Sequence, residues 1–379
     1  RGAVPFAMAD DVHYPGTYIA GGYNRLRSRV AGRTVENEDL VNFPNWLHLR
    51  IFLDGDEPLS LRTLRILEHR QALHLRAGVL TRETRVEDAR GHQSTLRERR
   101  VVSMDDMHQA GYELSITAEN WAGRIRVESG IDGRIVNDGA KLYEEFDNRH
   151  LAPVAGDSLG EDAVWLKTRT NQSELQVAMA ARTRLWVDGQ IRQEERSTVR
   201  EDGYVAQRLQ TDVERGATLR IEKLATVFTS RDPAISECGL AARKALDRMT
   251  DVATLVDRQR MAWRELWNRF DLHLVTKAGE NLEESSLLLL RLNTFHLLQA
   301  VSSHSRGLDI GVPSRGWTGE AYQGHIFWDE LFIFPFFNMR MPEVTRSLLM
   351  YRFRRLPEAR AAARAAGYAG AMFPWQSGS

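Results

Sequence analysis

Cysteine, lysine and long apolar runs are scarce in this 379-residue chain, and the scarcity excludes several classes of protein. The single cysteine, Cys238, excludes an internal disulfide framework and is typical of a reducing compartment, so we expect a cytoplasmic protein. No uninterrupted run of about 18 apolar residues occurs, which argues against a membrane-spanning helix. The formal net charge is zero, so the basic surplus that nucleic-acid binding needs is missing as well.

The sequence also lacks the common motifs of catalysis and metal binding. It has no Gly-x-Ser-x-Gly elbow and no phosphate-binding loop, and Gly316, Gly319 and Gly324 do not form a Gly-x-Gly-x-x-Gly motif. Its histidines show no His-Glu-x-x-His spacing, so we expect neither a metal site nor a bound cofactor. Cys238 falls in a predicted helix, where a small, semi-buried side chain is the favoured interpretation.

What the chain does contain is a strand-rich region followed by a helical one. Alternating apolar residues over Trp46–Asp56 and Tyr112–Asn137 predict strands, and the pattern continues to about residue 232. Frequent strands without long helices between them indicate a large antiparallel sandwich. Helical spacing of the apolar residues begins at Pro233. The predicted limits are a β-sandwich domain at 1–232, a helical linker at 233–270 and an all-α region at 271–379.

The last third is predicted to contain helices at 282–303, 342–355 and 357–366. The first is apolar on more than one side, as expected for a helix buried between others. Proline opens each of the other two, and Gly367 suits the position just after the last helix. The loops between these helices are long and rich in glycine and aromatic residues, which is where binding sites are found on a rigid helical scaffold.

The stretch RGWTGEAYQGHIFWDELFIFPFF, from Arg315 to Phe337, concentrates aromatic rings and carboxylates beside an apolar run. Burying a carboxylate is costly unless something binds it. Sugars fit this combination, because their C–H faces stack on aromatic rings and their hydroxyls bind carboxylate or amide acceptors. The residues concerned are Trp317, Glu320, Tyr322, Phe327, Trp328, Asp329, Glu330, Phe373, Trp375 and Gln376.

Each of these candidates also has an interpretation without a ligand. Asp329 suits the first turn of a helix beginning near Phe327, where the helix dipole favours an acid. Glu330 suits an exposed or ion-paired helix position, and Glu320 suits a structural or surface role in its loop. Phe327 and Trp328 suit simple packing in a core. His325 suits a structural histidine whose hydrogen bonds are satisfied by the protein, and Trp375 suits a side chain that fixes a loop.

Two parts of the chain carry a resemblance to a known family. One is GVPSRGWTGEAYQGHIFWDELFIFPFF with the following PEVTRSLLMYRFRRLPEARAAARAAGYAGAMFPWQSGS, and the other comprises YPGTYIAGGYNR and TVENEDLVNFPNWLHLRI. Both resemble glycoside hydrolase family 65, which includes maltose, trehalose and kojibiose phosphorylases and acid trehalases. The Gly-His-x-Phe-Trp-Asp stretch is the most specific piece. The resemblance implies an α+β multidomain protein: an N-terminal antiparallel β-supersandwich, a helical linker and the first part of an (α/α)6 barrel.

The resemblance also implies inverting cleavage of an α-linked glucose disaccharide of the trehalose, maltose or kojibiose type. In the phosphorylases, inorganic phosphate attacks the anomeric carbon and β-glucose 1-phosphate is released. Disaccharide and phosphate are then the ligands, and no cofactor is needed. One carboxylic acid suffices, because phosphate replaces the base and water that an inverting hydrolase uses. Relatives of this kind pair as homodimers.

Matched residue by residue, the resemblance implies a sugar-binding subsite. Trp328 and Asp329 match a Trp-Asp pair that grips the non-reducing glucose in the −1 subsite, with Phe327 and His325 as neighbours. Trp375 matches a Pro-Trp aromatic of the same region. Many members have glutamate after that tryptophan, whereas this chain has glutamine, which removes a charge.

The family's catalytic acid is a glutamate beyond the position of Ser379, so the resemblance assigns no catalytic residue within the chain. We therefore expect the working protein to be longer, or a companion fragment to complete the barrel, and we expect this fragment alone to be inactive. An incomplete barrel would expose the apolar faces of helices such as Leu287–Leu298. Two alternatives stay open: an inverting, trehalase-like hydrolase, and a non-catalytic module that binds sugar or holds an assembly together.

Overall fold

The computed structural model describes residues 14–55, 57–60, 62–272, 274 and 284–378. The strands are β1 (Tyr23–Val30), β2 (Arg33–Leu40), β3 (Leu49–Leu53), β4 (Arg65–His74), β5 (Val79–Glu87), β6 (Gln93–Val102), β7 (Gln109–Ala118), β8 (Gly123–Asp132), β9 (Leu151–Leu159), β10 (Ala163–Thr170), β11 (Gln176–Val187), β12 (Gln190–Arg192), β13 (Ser197–Glu201), β14 (Tyr204–Val213) and β15 (Thr218–Thr229). The helices are α1 (Cys238–Asp247), α2 (Val252–Phe270), α3 (Glu284–Ala300), α4 (Glu330–Asn338), α5 (Pro342–Arg354) and α6 (Leu356–Ala365). The start predicted for α3, at Leu282, lies outside the described residues. None of the helices described here has both the length and the apolar character that a membrane crossing requires.

The sandwich consists of two antiparallel sheets, as the alternating sequence predicts. The larger sheet has the order β4-β5-β6-β7-β15-β11-β10-β9, with β12 paired to β11, and the smaller has the order β13-β14-β8-β3. Lys223 of β15 links the two sheets, because its Nζ donates to the carbonyl oxygens of His48 and Gly130 at 2.8 and 2.7 Å. The buried ammonium group thus has polar partners inside the interface between the sheets, where Ser129 and Thr183 also bond to each other at 2.7 Å.

Period-two burial explains why these strands form a sandwich. Leu114 and Ile116 of β7 are fully buried, and Ile125 and Val127 of β8 are buried on either side of the exposed Arg126. Each buried Leu or Ile side chain contributes about 1.5–3 kcal/mol relative to exposure. A shift of one residue in the strand pairing would move the whole apolar set to solvent, so the alternation also fixes the register.

The helix after the sandwich begins later than the sequence predicts. It starts at Cys238 and not at Pro233, because Ala234 has a left-handed φ of +61° that a helix cannot contain. Glu237 caps the helix, since its carboxylate accepts two backbone N–H groups of the first turn at 2.7 Å each. Cys238 is buried against the larger sheet, and burial raises the pKa of its thiol to about 11, which is typical of an unreactive core cysteine.

The chain divides into two compact units that are discontinuous in sequence. One contains Arg1–Thr17, Phe43–Val136 and Leu151–Arg264, and the other contains Tyr18–Asn42, Asn137–His150 and Glu265–Ser379. The β1–β2 hairpin and the segment after β8 therefore pack in the same unit as α3 to α6. The predicted domain limits at 232 and 270 follow the chain linearly, and they stay a prediction.

Proline positions the helices of the second unit. Pro342 is the first residue of α5 and Pro357 the second of α6, as predicted, and Gly367 after α6 has a φ of +79°. Helix α4 contains Pro335 in its interior and is largely apolar. Large apolar side chains are exposed on α3, α4 and α5, and they include Leu288, Leu289, Leu331, Phe332, Leu349 and Phe353.

Candidate functional site

The candidate site lies in the loop between α3 and α4, which the β1–β2 hairpin anchors. Two consecutive loop residues, Tyr322 and Gln323, have left-handed φ angles of +56° and +55°, a conformation that costs a non-glycine residue about 1–2 kcal/mol. Gln323 Nε2 donates to Asp39 Oδ1 at 3.2 Å, and Tyr23 Oη donates to the Gly324 carbonyl oxygen at 2.6 Å. The hairpin thus holds the loop in a strained conformation, as is common at functional sites.

Gly324 lets this loop approach the hairpin closely. Its φ is +67°, and a Cβ atom at this position would lie only 2.4 Å from Leu40 Cβ. The next residue, His325, is buried, and its Nε2 donates to the Glu38 carbonyl oxygen at 2.7 Å. The structure therefore places His325 against β2, where it contributes to the anchor of the loop.

Glu320 is buried and its carboxylate is occupied by the protein. Oε1 accepts a hydrogen bond from Tyr18 Oη at 3.0 Å, and Oε2 accepts one from the Gly139 backbone N–H at 2.6 Å. Burial raises the pKa of this carboxyl to about 7, and Asp39 and Asp138 raise it further, against the two hydrogen bonds that lower it. The geometry gives Glu320 the structural role that was one of its two interpretations.

Glu330, the first residue of α4, is also buried and occupied. Arg352 Nε donates to its Oε1 at 2.9 Å, and the Val312 backbone N–H donates to its Oε2 at 3.1 Å. Gly311 leaves room for this carboxylate, since a Cβ atom there would lie 2.7 Å from Oε2. Of the two positions predicted for Glu330, exposed or ion-paired, the structure shows the ion-paired one, with both carboxylate oxygens bonded to protein groups.

Asp329 differs from both glutamates. It occupies the N-cap position of α4 and is partly exposed, yet its side chain makes no capping hydrogen bond. Within the part of the chain that the structure describes, its carboxylate has neither a hydrogen-bond donor nor an ion-pair partner. The helix N-terminus favours a negative charge here, and the oxygens are left to bind solvent or a ligand.

A backbone bridge brings the two candidate tryptophans together. Ile326 and Ser377 exchange both of their backbone hydrogen bonds, at 2.9 and 3.1 Å, in an antiparallel pair. In such a pair the residue two places after Ile326 faces the residue two places before Ser377. These residues are Trp328 and Trp375, whose ring centroids lie 6.2 Å apart and whose exposed fractions are 47% and 69%. The pair forms an open aromatic surface.

Further aromatic side chains extend this surface. Phe327 contacts Tyr322 edge to face with ring centroids 5.6 Å apart, and the Arg315 guanidinium lies 5.5 Å from the Tyr322 ring. Phe332 lies 5.4 Å from Trp328, also edge to face. Tyr322 was visible in the sequence as part of an aromatic cluster, whereas nothing in the sequence singled out Phe332 for the site.

The hairpin contribution is what sequence reasoning missed. Glu38 precedes His325 by 287 residues, and Tyr18 precedes Glu320 by 302 residues. No spacing pattern connects residues so far apart. The only signal was that YPGTYIAGGYNR and TVENEDLVNF resemble the same family as the site loop.

An open carboxylate beside exposed indole rings suits a neutral, polyhydroxylated ligand. The carboxylate can accept hydrogen bonds from two hydroxyl groups, and the rings can contact C–H faces. Among the described residues, no group of three His, Cys, Asp or Glu side chains could hold a metal ion.

Two domains of one family match the chain. Residues 1–266 match the glycosyl hydrolase family 65 N-terminal domain, and residues 291–379 match the glycosyl hydrolase family 65 central catalytic domain. The chain is 42% identical over 379 residues to a Mycobacterium tuberculosis protein named as an uncharacterized glycosyl hydrolase. That match covers 100% of this chain and 28% of the other protein.

Several phosphorylases are similar as well. The chain is 31% identical to the trehalose 6-phosphate phosphorylase of Lactococcus lactis and 29% identical to a kojibiose phosphorylase of Halothermothrix orenii. Both matches cover 100% of this chain, and they cover 46% and 47% of the relatives, so the chain spans about half the length of these proteins or less.

A solved structure named as a kojibiose phosphorylase from the human microbiome shares the fold. It matches with a TM-score of 0.79 at 21% identity, over 96% of this chain and 46% of that one. The predicted fold class is confirmed: an antiparallel β-sandwich is followed by helices that correspond to the first part of an (α/α)6 barrel.

Proposed function

The chain belongs to glycosyl hydrolase family 65, and from this premise we propose that the intact protein cleaves an α-linked glucose disaccharide by inverting phosphorolysis. The substrate is of the trehalose, maltose or kojibiose type, inorganic phosphate is the co-substrate, and β-glucose 1-phosphate is the product. The curated relatives named as phosphorylases support this reaction. No cofactor takes part, because phosphate is itself the nucleophile.

One contrast among three carboxylates carries the proposal. Glu320 and Glu330 are buried and satisfied by protein groups, whereas Asp329 is partly exposed and has no partner among the described residues. The one acid left for a ligand thus follows Trp328 directly and lies next to the aromatic pair that Trp328 forms with Trp375. This arrangement supports sugar binding more directly than a structural role, since a structural N-cap would bond to the helix backbone.

Each predicted site residue receives a role in this proposal. Asp329 accepts hydrogen bonds from two outer hydroxyls of the non-reducing glucose, and Trp328 shapes the −1 subsite around its C–H face. Trp375 extends the aromatic surface. Phe327 and His325 are positioning residues, because Phe327 packs on the strained turn and His325 ties the loop to β2.

The proton for the leaving oxygen comes from a glutamate outside this chain, in keeping with the family resemblance. None of the acids described above is assigned to that step, because Glu320 and Glu330 are already bound and Asp329 is needed as an acceptor. We further propose that the intact protein is a cytoplasmic homodimer, or that a companion fragment supplies the remaining helices.

The test replaces Asp329 in the intact natural protein. Asp329→Asn keeps the size of the side chain and removes the charge that strengthens hydrogen bonds to the sugar, so we expect kcat/KM for phosphorolysis to fall at least about tenfold. The matched control is Glu343→Gln, since Glu343 is an exposed acid in the first turn of the next helix, and its activity should change less than about twofold.

The same assay separates phosphorolysis from its alternatives. It measures the release of glucose and of glucose 1-phosphate from trehalose, maltose and kojibiose with and without inorganic phosphate. Cleavage that proceeds equally well without phosphate would make the protein a hydrolase and overturn the proposal. Sugar binding without cleavage under either condition would favour a non-catalytic module.

A further inference from the structure

A groove on the smaller sheet of the sandwich has no role in the function proposed above. It lies on the face of β13-β14-β8-β3 that points away from the larger sheet, and its volume is about 550 Å³. Three arginines line it, one from each of three neighbouring strands: Arg50 of β3, Arg126 of β8 and Arg208 of β14.

The strand register explains why these arginines meet. Arg50 and Arg208 are the cross-strand neighbours of Glu128 on its two sides, and Phe52 is the neighbour of Arg126. Residues two apart on a strand share a face, so all five side chains belong to the outer face of the sheet. Most of the alternate positions on the same strands are apolar and buried in the sandwich core, among them Ile51, Val127 and Leu209.

Two acids, Glu128 and Glu195, line the groove together with the arginines, and the protein already satisfies Glu128. Arg208 Nε donates to Oε2 at 2.7 Å, Tyr204 Oη donates to Oε1 at 2.8 Å, and Arg50 Nη1 lies 3.5 Å from Oε1. A guanidinium group carries five N–H donors, and the side chains of Arg50 and Arg208 are about half exposed or more. Positive charge with donor capacity therefore faces the groove.

The Phe52 ring lies beside the guanidinium groups of two of the arginines. The guanidinium carbons of Arg50 and Arg126 lie 5.3 and 5.1 Å from its ring centroid. Cation–π contacts of this kind orient a guanidinium and reduce the entropy that it loses on binding a ligand. The ring supports the cations, so it is not an open platform for the face of a sugar.

We propose that this groove binds a phosphate monoester of a small polyhydroxylated molecule. The planar guanidinium groups of Arg50 and Arg126 can donate to pairs of phosphate oxygens, and Arg126 Nη2 also donates to the Gly55 carbonyl oxygen. Ser197 and Gln210, which also line the groove, can bind hydroxyl groups of the ester. The volume suits a ligand of this size. The assignment is independent of the proposed catalytic function, because it uses neither Asp329 nor bond cleavage.

Binding to the intact natural protein tests the assignment, with isothermal titration calorimetry as the measurement. The probes are a hexose monophosphate, the same hexose without phosphate, and inorganic phosphate. We expect the hexose monophosphate to bind at least about tenfold more tightly than either of the other two, because only it engages both the arginines and the hydroxyl-binding side chains. Affinity should also fall as salt concentration rises.

Substitutions of groove residues test whether the ligand binds in the groove. Arg50→Gln should lower the affinity for the monophosphate about tenfold, and Arg126→Lys, which keeps the charge and loses the fork, should lower it severalfold. The matched control is Arg124→Gln. Arg124 lies on the same face of β8 and pairs with Asp212 at 2.9 Å outside the groove, so affinity should change less than about twofold.

The outcomes that overturn the assignment are distinct from failure of the catalytic proposal. Equal affinity for inorganic phosphate and the monophosphate would show an anion site without ester recognition. Binding that is lost in Asp329→Asn and kept in Arg50→Gln would place the ligand at the candidate sugar site instead. Thermal unfolding is measured as a control. If Arg126→Lys unfolds at the same temperature as the wild-type protein, its loss of binding is not due to a folding defect.

Discussion

The sandwich and the helical region differ in how far their apolar side chains are buried. In the sandwich, Leu114 and Ile116 are completely buried between two sheets that the described strands supply themselves. In the helical region, Phe332, Met339 and Phe353 are 72%, 86% and 64% exposed. Apolar faces of this extent are typical of surfaces that another element or a partner covers. Strand alternation therefore predicts burial well here, whereas helical apolar positions predict contacts that the described helices do not make.

The helical region nevertheless has an interior, and it is partly ionic. Glu330 and Arg352 form their ion pair with side chains that are only 3% and 20% exposed, and the Arg352 guanidinium lies 5.3 Å from the Tyr351 ring centroid. The exposed faces and this interior lie on the same helices. Substitutions of buried and of exposed side chains can therefore test the difference between the two regions.

The largest expected effect comes from breaking the buried ion pair. Arg352→Ala leaves the Glu330 carboxylate buried without its cation, so we expect a loss of about 3–5 kcal/mol in the free energy of unfolding. Chemical denaturation measures it. Arg354→Ala is the matched control, because Arg354 pairs at 2.9 Å with Asp309 at the surface and should contribute about 0–1 kcal/mol. Equal effects of the two substitutions would contradict the description of Glu330 as buried and paired.

The contrast between the regions can be tested with two apolar truncations. Leu114→Ala removes a fully buried side chain from the sandwich and should lower the free energy of unfolding by about 2–5 kcal/mol. Phe332→Ala removes a larger side chain that is mostly exposed, so the free energy of unfolding of the 379-residue chain should change by less than about 0.5 kcal/mol. A large loss in Phe332→Ala would show that this face is covered in solution.

A pH dependence of the free energy of unfolding is also expected. The folded pKa of Glu320, about 7, lies above the ordinary value of 4.5, so the folded state binds the proton more tightly. The corresponding stability is fully present below pH 4.5 and is lost as the pH rises through 7. The loss is on the order of 3 kcal/mol, since one pKa unit corresponds to about 1.4 kcal/mol. Glu320→Gln removes the titrating group and should flatten this part of the profile, whereas Glu343→Gln should leave the profile as it is.

Much of the fold could be predicted from the sequence, because its signals are local. Alternation marked the strands of the sandwich, and the prolines at 342 and 357 marked the starts of α5 and α6. The start of α1 was predicted too early, because the left-handed φ of Ala234 leaves no trace in the composition. The apolar residues Leu349 and Phe353 of α5 are exposed, because an apolar pattern gives a helix face and not the element that covers it.

The candidate site could be predicted only in part. The aromatic and acidic residues were visible as a cluster, but the three carboxylates of Glu320, Asp329 and Glu330 look alike in a sequence. Their partners distinguish them, and those partners come from distant positions: Tyr18 for Glu320 and Arg352 for Glu330. The isolation of Asp329 is likewise a property of the packed structure, so spacing alone did not reveal it.

The backbone bridge between Ile326 and Ser377 affects how the aromatic surface of Trp328 and Trp375 can change in evolution. The separation of the two indole rings depends on peptide groups, which every residue except proline supplies. Either ring can therefore be exchanged for a smaller aromatic or a polar side chain while the frame beneath it stays intact. At Trp328 and Trp375 the exposed side chain can therefore change without altering the backbone pair that sets its position.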